Sequence, residues 1–238
     1  MTARLDIFGI EGIGEIHPGN DLAGIISDAA RDMQHDLTDG DVVVVTQKIV
    51  SKAEGRLVQI DPDDPRSHVA VVEGETVRVL RRRGDLVITE TAHGFVCANA
   101  GVDLSNVEAG WAALLPVDSD RSARRIRDGV RARCGADVGV IVSDTFGRTW
   151  RRGLTDVAIG CAGIGAIVDY RGTEDASGRE LHVTEVAVVD ELAGAAELVM
   201  GKATGIPVAV VRGVPGSWLR RGDVRSEIVR SPHEDLFR

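Results

Sequence analysis

The chain has 238 residues, with 28 Lys and Arg against 37 Asp and Glu and a formal charge of -9. This balance disfavours binding to a phosphate backbone and so argues against a nucleic-acid partner. Hydrophobic residues make up 43% and charged residues 27%, the proportions of an ordinary globular protein rather than a disordered one. No apolar run approaches the roughly 20 residues that span a bilayer. The N-terminus carries no apolar signal region, so no membrane association and a cytoplasmic location are expected. Cys97, Cys134 and Cys161 stand far apart without CxxC spacing, which suits neither a zinc site nor a disulfide framework; they are expected to be reduced and mostly packed. The length accommodates one large domain or two small interleaved lobes.

Residues 5–8 read as a first strand, followed over 9–16 by Gly-Ile-Glu-Gly-Ile-Gly-Glu-Ile. Its main-chain N–H groups can approach a ligand, or the loop is a plain turn. From Asn20 as N-cap, Leu22, Ile25, Ile26, Ala29, Met33 and Leu37 keep helical spacing, ended by Asp39-Gly40-Asp41. Residues 42–45 are four valines, suited to a strand buried on both faces. The polar stretch 46–56 follows at once, where an α/β sheet usually places ligand groups. Pro62 and Pro65 bound an acidic linker, and residues 69–80 are expected to be helical before the cationic turn Arg81-Arg82-Arg83-Gly84. Strands over 86–89 and 95–98 are joined through His93-Gly94, and the loop 99–106 carries Asp103, Ser105 and Asn106. An arginine-rich helix over 119–133 precedes a buried strand over 138–142. An apolar segment at 164–168, a helix from about 184 to 200 and a strand at 207–211 complete a mixed α/β pattern.

Two segments place acidic and hydroxyl groups directly after short apolar strands: residues 100–106 and residues 142–145. Magnesium or manganese takes hard oxygen ligands, often one or two carboxylates completed by water and nucleotide phosphates, so Asp103 and Asp144 with Thr145 are candidate metal ligands. The same residue types also serve as turn and cap residues. Lys52 could meet a phosphate, and Gln47 and Asn106 could read polar edges of a base or ribose; taken singly, each reads more readily as an ordinary surface residue. The glycines at 9–14 lack the Gly-Lys-Ser/Thr ending of a Walker A loop, which disfavours a P-loop NTPase. His17 and His93 have no nucleophile or partner at recognisable spacing and are expected to be structural. The clusters Arg81–Arg83 and Arg124, Arg125, Arg127 are expected to be solvated faces.

Residues 40–56, GDVVVVTQKIVSKAEGR, resemble the opening motif of the coenzyme F420-0:L-glutamate ligase family. Three further blocks agree in order: AGVDLSN at 100–106, SDTFGRTWR at 143–151, and ELVMGK at 197–202 leading to PVAVVRG at 207–213. The resemblance covers nearly the whole chain. It implies an α+β, mixed-sheet fold assembled as an intertwined homodimer. It also implies GTP as co-substrate, Mg2+ or Mn2+ as cofactor, and K+ as a further candidate cation. Asp103, Asp144 and Thr145 are the implied metal ligands, with Lys52 and Asp144 catalytic. Ile13, Gly14, Glu15, Ile16, Gln47, Lys52, Asn106, Gly201 and Lys202 are the implied nucleotide contacts. Family members often carry Gln where this chain has Lys202, and a protonated lysine cannot ligate a cation.

The implied reaction joins L-glutamate to coenzyme F420-0 by GTP-dependent formation of an acyl phosphate, with further γ-linked glutamates to follow. Two other functions are compatible with the same residues: ligation to a different carboxylate acceptor, and a non-catalytic GTP-binding docking module. Similar ligase domains in actinobacteria continue into a flavin-dependent reductase-like domain about where residues 235–238 stand, so a fused or partner reductase is a further expectation.

Overall fold

Side chains alternate along a strand, so four consecutive valines serve two opposite cores. The computed structural model describes residues 4–64 and 66–237. Residues 1–3 of the N-terminal segment, Pro65 at the close of the expected linker, and Arg238 lie outside the described residues. The first half of the chain forms β1 (Asp6–Gly9), α1 (Leu22–Asp32), β2 (Val42–Thr46), α2 (Gln47–Ala53), β3 (Leu57–Gln59), α3 (Val69–Glu75), β4 (Thr76–Arg83), β5 (Leu86–Thr91), β6 (Val96–Ala98) and β7 (Trp111–Ala113). The second half forms α4 (Ser119–Cys134), β8 (Gly139–Arg148), β9 (Arg151–Ala162), β10 (Val168–Asp169), β11 (Glu185–Val186), α5 (Val188–Met200), β12 (Val208–Arg212) and α6 (Val224–Glu227).

The main sheet has five strands in the order β1-β12-β2-β8-β9. Only β2 and β8 run parallel; the other pairs are antiparallel, giving an α+β fold on a mixed sheet. Val43 and Val45 face α1 and α4, packing with Ile26, Ala30, Ile126 and Val130. Val42 and Val44 face α5, packing with Val189, Leu192, Ala193 and Ala196. All four valines are 0% exposed, and each contributes roughly 1.5–3 kcal/mol of burial. Small residues let the layers close: a Cβ at Gly160 would meet the Ser119 carbonyl carbon at 2.3 Å, so β9 and the start of α4 touch backbone to backbone. Asp41, at the head of β2, accepts two hydrogen bonds from Arg212 at 2.8 Å and ties β2 to β12.

Three smaller sheets flank this core: β4-β5-β6, β3-β7 and β10-β11. Phe95, just before β6, meets Phe146 of β8 edge to face at 6.2 Å and packs the three-stranded sheet against the β8–β9 hairpin.

Several boundaries differ from expectation. Residues 69–80 are helical only through Glu75; β-branched Thr76 and Val79 pair with β5, with Val77 at an irregularity between them, and Arg81–Arg83 end that strand, leaving only Gly84 of the expected turn. The turn falls at Gly84, whose φ is 60°. α1 stops at Asp32 because Gln34 takes a left-handed φ of 60°. Its N-cap is Asp21, which accepts from the Gly24 amide, while Asn20 accepts from His17. α5 begins at Val188, and within 164–168 only Val168 joins a strand, although Ile164 and Ala166 are buried. The expected strand over 138–142 continues to Arg148 and turns back as β9. Cys97 and Cys161 are buried and Cys134 is exposed at the end of α4, in line with mostly packed, reduced cysteines. Among the described residues, no helix is long and apolar enough to cross a membrane.

Candidate functional site

Thr46, the last residue of β2, pairs with Ser143 of β8, and both chains leave the core at this point. The end of a parallel strand pair is where an open α/β sheet places its ligand groups. From β2 the chain turns directly into α2, whose i,i+4 geometry sorts its polar residues into two rows. Gln47 and Ser51 point inward: Ser51 Oγ is 2.7 Å from Gln47 Oε1 and 2.6 Å from the Leu114 carbonyl oxygen. Lys48 and Lys52 form the second row and reach acidic partners.

Lys48 Nζ lies 2.8 Å from Asp103 Oδ2 and donates to Ser105 Oγ at 2.8 Å. Asp103 is presented by a tight turn in which Asn99 and Ala100 take φ values of 49° and 54°. Reciprocal backbone bonds of 2.9 and 2.8 Å between Asp103 and Ala113 then hold it in place. Burial raises the Asp103 pKa, but the Lys48 ammonium and the Ser105 amide outweigh it and hold the carboxyl below its ordinary range.

Asp144 follows a β-bulge between Val142 and Ser143, a feature that re-aims side chains. It keeps partial contact with solvent, yet enough protein surrounds it that burial pushes its pKa up to about 7. The Thr145 amide opposes that rise, while the charges of Asp103 and Asp156 add to it and Lys48 offsets a part. A carboxylate whose charged form is opposed by a neighbouring carboxylate is relieved by a nearby cation.

Thr145 belongs to an adjoining cluster. Its hydroxyl donates to Asp156 Oδ1 at 2.6 Å, and Ser143 Oγ donates to Asp156 Oδ2 at 3.1 Å. Lys202 Nζ bonds Thr145 Oγ1 and lies 3.1 Å from Asp156 Oδ1 and 2.8 Å from Glu197 Oε1. Burial works to lower the Lys202 pKa, but bonds to Glu197 and Asp156 leave it raised. Strand alternation thus separates neighbouring residues: Asp144 belongs with Asp103 and Lys48, while Thr145 is engaged by Asp156 and Lys202. Gly201, at the end of α5 with φ 61°, turns the chain so that Lys202 enters this cluster.

The loop over 9–16 reaches the second lysine of α2, with Lys52 Nζ 2.5 Å from Glu15 Oε1. Ile16 is buried and Ile13 packs on the core, while Gly14 and Glu15 are exposed. Gln47 is 2% exposed, and its Nε2 has no hydrogen-bond partner among the described residues. Such a buried donor is costly unless a ligand satisfies it. Asn106 is exposed with φ 52°, a conformation asparagine tolerates well. His93 bonds the Pro116 carbonyl oxygen and stacks on Phe95, as a structural histidine does.

Sequence reasoning passed over Lys48, Asp156 and Glu197. Lys48 stands inside a quoted motif beside Gln47, and i,i+4 spacing from Lys52 was its available signal. Asp156 had none, since only the β8–β9 register opposes it to Thr145. A groove of about 210 Å3 lies elsewhere, lined by Asn20, Val50, Glu54, Ser122 and Arg125.

Among the described residues, no three His, Cys, Asp or Glu side chains converge as a ready-made metal cage. The donor set fits Mg2+ or Mn2+ in the manner of a nucleotide-dependent site, where two carboxylates suffice and phosphates and water complete the shell.

The sequence profile of F420-0:Gamma-glutamyl ligase matches residues 11–213. Three relatives described as coenzyme F420:L-glutamate ligase align over nearly their full lengths. That of Methanothermobacter thermautotrophicus is 40% identical, covering 98% of this chain and 99% of the relative. That of Methanopyrus kandleri is 42% identical, covering 94% of each, and that of Archaeoglobus fulgidus is 40% identical, covering 99% and 97%. The α+β fold with its mixed sheet and these relatives together define a ligase. The chain belongs to the F420-0:gamma-glutamyl ligase family. Its activity is the addition of glutamate to F420-0.

Asp144 makes the metal-free protein sensitive to pH. Its folded carboxyl holds a proton up to about pH 7, whereas the unfolded one releases it near 3.8, so folding takes up a proton between these values. Stability contributed by the site therefore falls as pH rises through that window. Urea unfolding in the presence of chelator is expected to show this decline in the native chain and a flatter profile in Asp144→Asn; equal slopes would contradict the assignment.

Proposed function

We propose that the enzyme uses GTP to convert the terminal carboxylate of the F420-0 tail into an acyl phosphate, which the glutamate amine then attacks. The γ-phosphoryl group passes from GTP to a carboxylate oxygen, releasing GDP; the amine nitrogen bonds the acyl carbon and phosphate departs. No covalent enzyme nucleophile is needed. The observation that carries this reading is the convergence of Asp103 and Asp144 at the exit of β2 and β8, flanked by the lysine row of α2.

In this mechanism Asp103 and Asp144 would hold Mg2+ or Mn2+, and the bound ion would supply neutralisation of phosphate charge. Lys52, freed from Glu15, contacts phosphate, and the unsatisfied Gln47 amide donates to the nucleotide. Glu15, with Ile13, Gly14 and Ile16, forms one wall of that site, and Asn106 with the Gly201 turn forms the opposite edge. Lys202 neutralises Asp156 and Glu197 and keeps the Thr145 hydroxyl oriented, so Thr145 supports the carboxylate pair from the adjoining cluster. Holding donor and acceptor in line supplies the remaining acceleration.

We also propose that the protein works as a homodimer. The β8–β9 hairpin extends past the central sheet with Trp150 82% and Leu154 68% exposed, and the edge strand β4 leaves Val77 66% exposed. Exposed aromatic and branched residues on an unpaired strand edge are suited to a second copy. Sedimentation equilibrium is expected to give twice the chain mass for the native protein and a shift toward monomer for Trp150→Ser; a monomeric native protein contradicts this assembly.

Mass spectrometry of F420-0 incubated with enzyme, L-glutamate, GTP and Mg2+ or Mn2+ is expected to show increments of one glutamyl unit that vanish without GTP or metal. Asp103→Ala and Asp144→Ala are expected to lower turnover at least about 100-fold while remaining folded, the scale of losing one electrostatic contact to a transition state. Lys52→Ala is expected chiefly to raise the KM for GTP. Turnover at native rate in either aspartate variant removes that residue from the site.

A further inference from the structure

Lys48 is a cation already seated on the carboxylate that a metal would need. Its ammonium is 2.8 Å from Asp103 Oδ2 and from Ser105 Oγ, and its side chain is only 16% exposed. It also lies near enough to Asp144 to favour that carboxylate's charged form. A divalent ion bound by Asp103 and Asp144 competes for the same oxygens, and the two positive charges repel at contact range. The ammonium therefore has to leave Asp103 as the metal arrives.

Its destination is limited. Lys48 sits one helical turn before Lys52 on the same row of α2, and Glu15, the acidic residue on that side, is occupied by Lys52. The remaining acidic cluster, Asp156 with Glu197, is neutralised by Lys202. A displaced Lys48 needs an incoming anion, and the phosphates of a nucleotide bring one.

We propose that Lys48 is a displaceable counter-cation that makes divalent-metal binding and nucleotide binding depend on one another. The inference rests on the GTP- and metal-dependent reading above and assigns to it a residue which that mechanism did not use. With phosphate absent, Lys48 holds Asp103 and opposes the metal; with phosphate present, it moves to the anion and the opposition ends. The two ligands are linked through one side chain, and the linkage is reciprocal.

The test is Mn2+ binding, followed by electron paramagnetic resonance, with and without GTP and with no F420-0 present. The native chain is expected to bind Mn2+ poorly alone and much better with GTP. Lys48→Met and Lys48→Gln are expected to bind Mn2+ alone roughly tenfold more tightly than the native chain and to gain less from GTP, within the usual range for coupled sites. Lys48→Arg, which keeps the charge, is expected to retain the native pattern. If Mn2+ binds the native chain with GTP but both neutral variants bind Mn2+ alone no better than native, the inference is overturned while the metal site stands. If the native chain fails to bind Mn2+ even with GTP, the metal reading falls and the inference falls with it.

Discussion

The parallel pairing of β2 with β8 is the constraint on which the rest depends. Both strands are buried on two faces, so their register is set by two cores at once, and a one-residue slip would move every valine to the wrong side. Because the register is held so firmly, the places where the strands leave the core are equally well determined. Thr46 and Ser143 mark those exits side by side, and from them spring the helix that carries Lys48 and Lys52 and the hairpin that carries Asp144, Thr145 and Asp156. A site assembled at such a point inherits the rigidity of the sheet without using residues of its own for support.

Around this exit the charges are arranged in compensated and uncompensated sets. Asp103 is lowered by Lys48, and Asp156 is hydrogen-bonded by Ser143, Thr145 and Lys202. Asp144 lies between them and takes the cost, its carboxyl held up to about pKa 7. A group whose charged form is opposed by burial and by like charges is a candidate for a functional site, and it is the observation on which the proposed cation site rests. This explains why the lysines are as informative as the acids: each shows which carboxylates the protein neutralises by itself and which it leaves for a ligand.

Much of this was legible in the residues. The valine run announced a doubly buried strand, and four ordered motif blocks pointed to the family that the relatives establish. What was hidden depends on register and alternation rather than on motif. Asp144 and Thr145 read as two neighbouring ligands after a short strand, but as part of a ten-residue strand they divide between two clusters. The partner of Thr145 is Asp156, eleven residues away across a hairpin whose second strand gave no clear signal, because Arg151-Arg152-Gly153 looks like loop composition. Residues 76–83 mislead in the opposite direction: propensity cannot tell that their β-branched positions will find a partner in β5.

The central claim is that Asp103, from a loop, and Asp144, from β8, form one cation site. It is tested most directly by a double-mutant cycle on Mn2+ affinity measured by calorimetry in the presence of GTP, using Asp103→Asn, Asp144→Asn and the pair. If the two carboxylates hold the same ion, the double variant loses little more affinity than the worse single variant, because either loss already dismantles the site. Fully additive losses, as from two independent positions, would contradict the account.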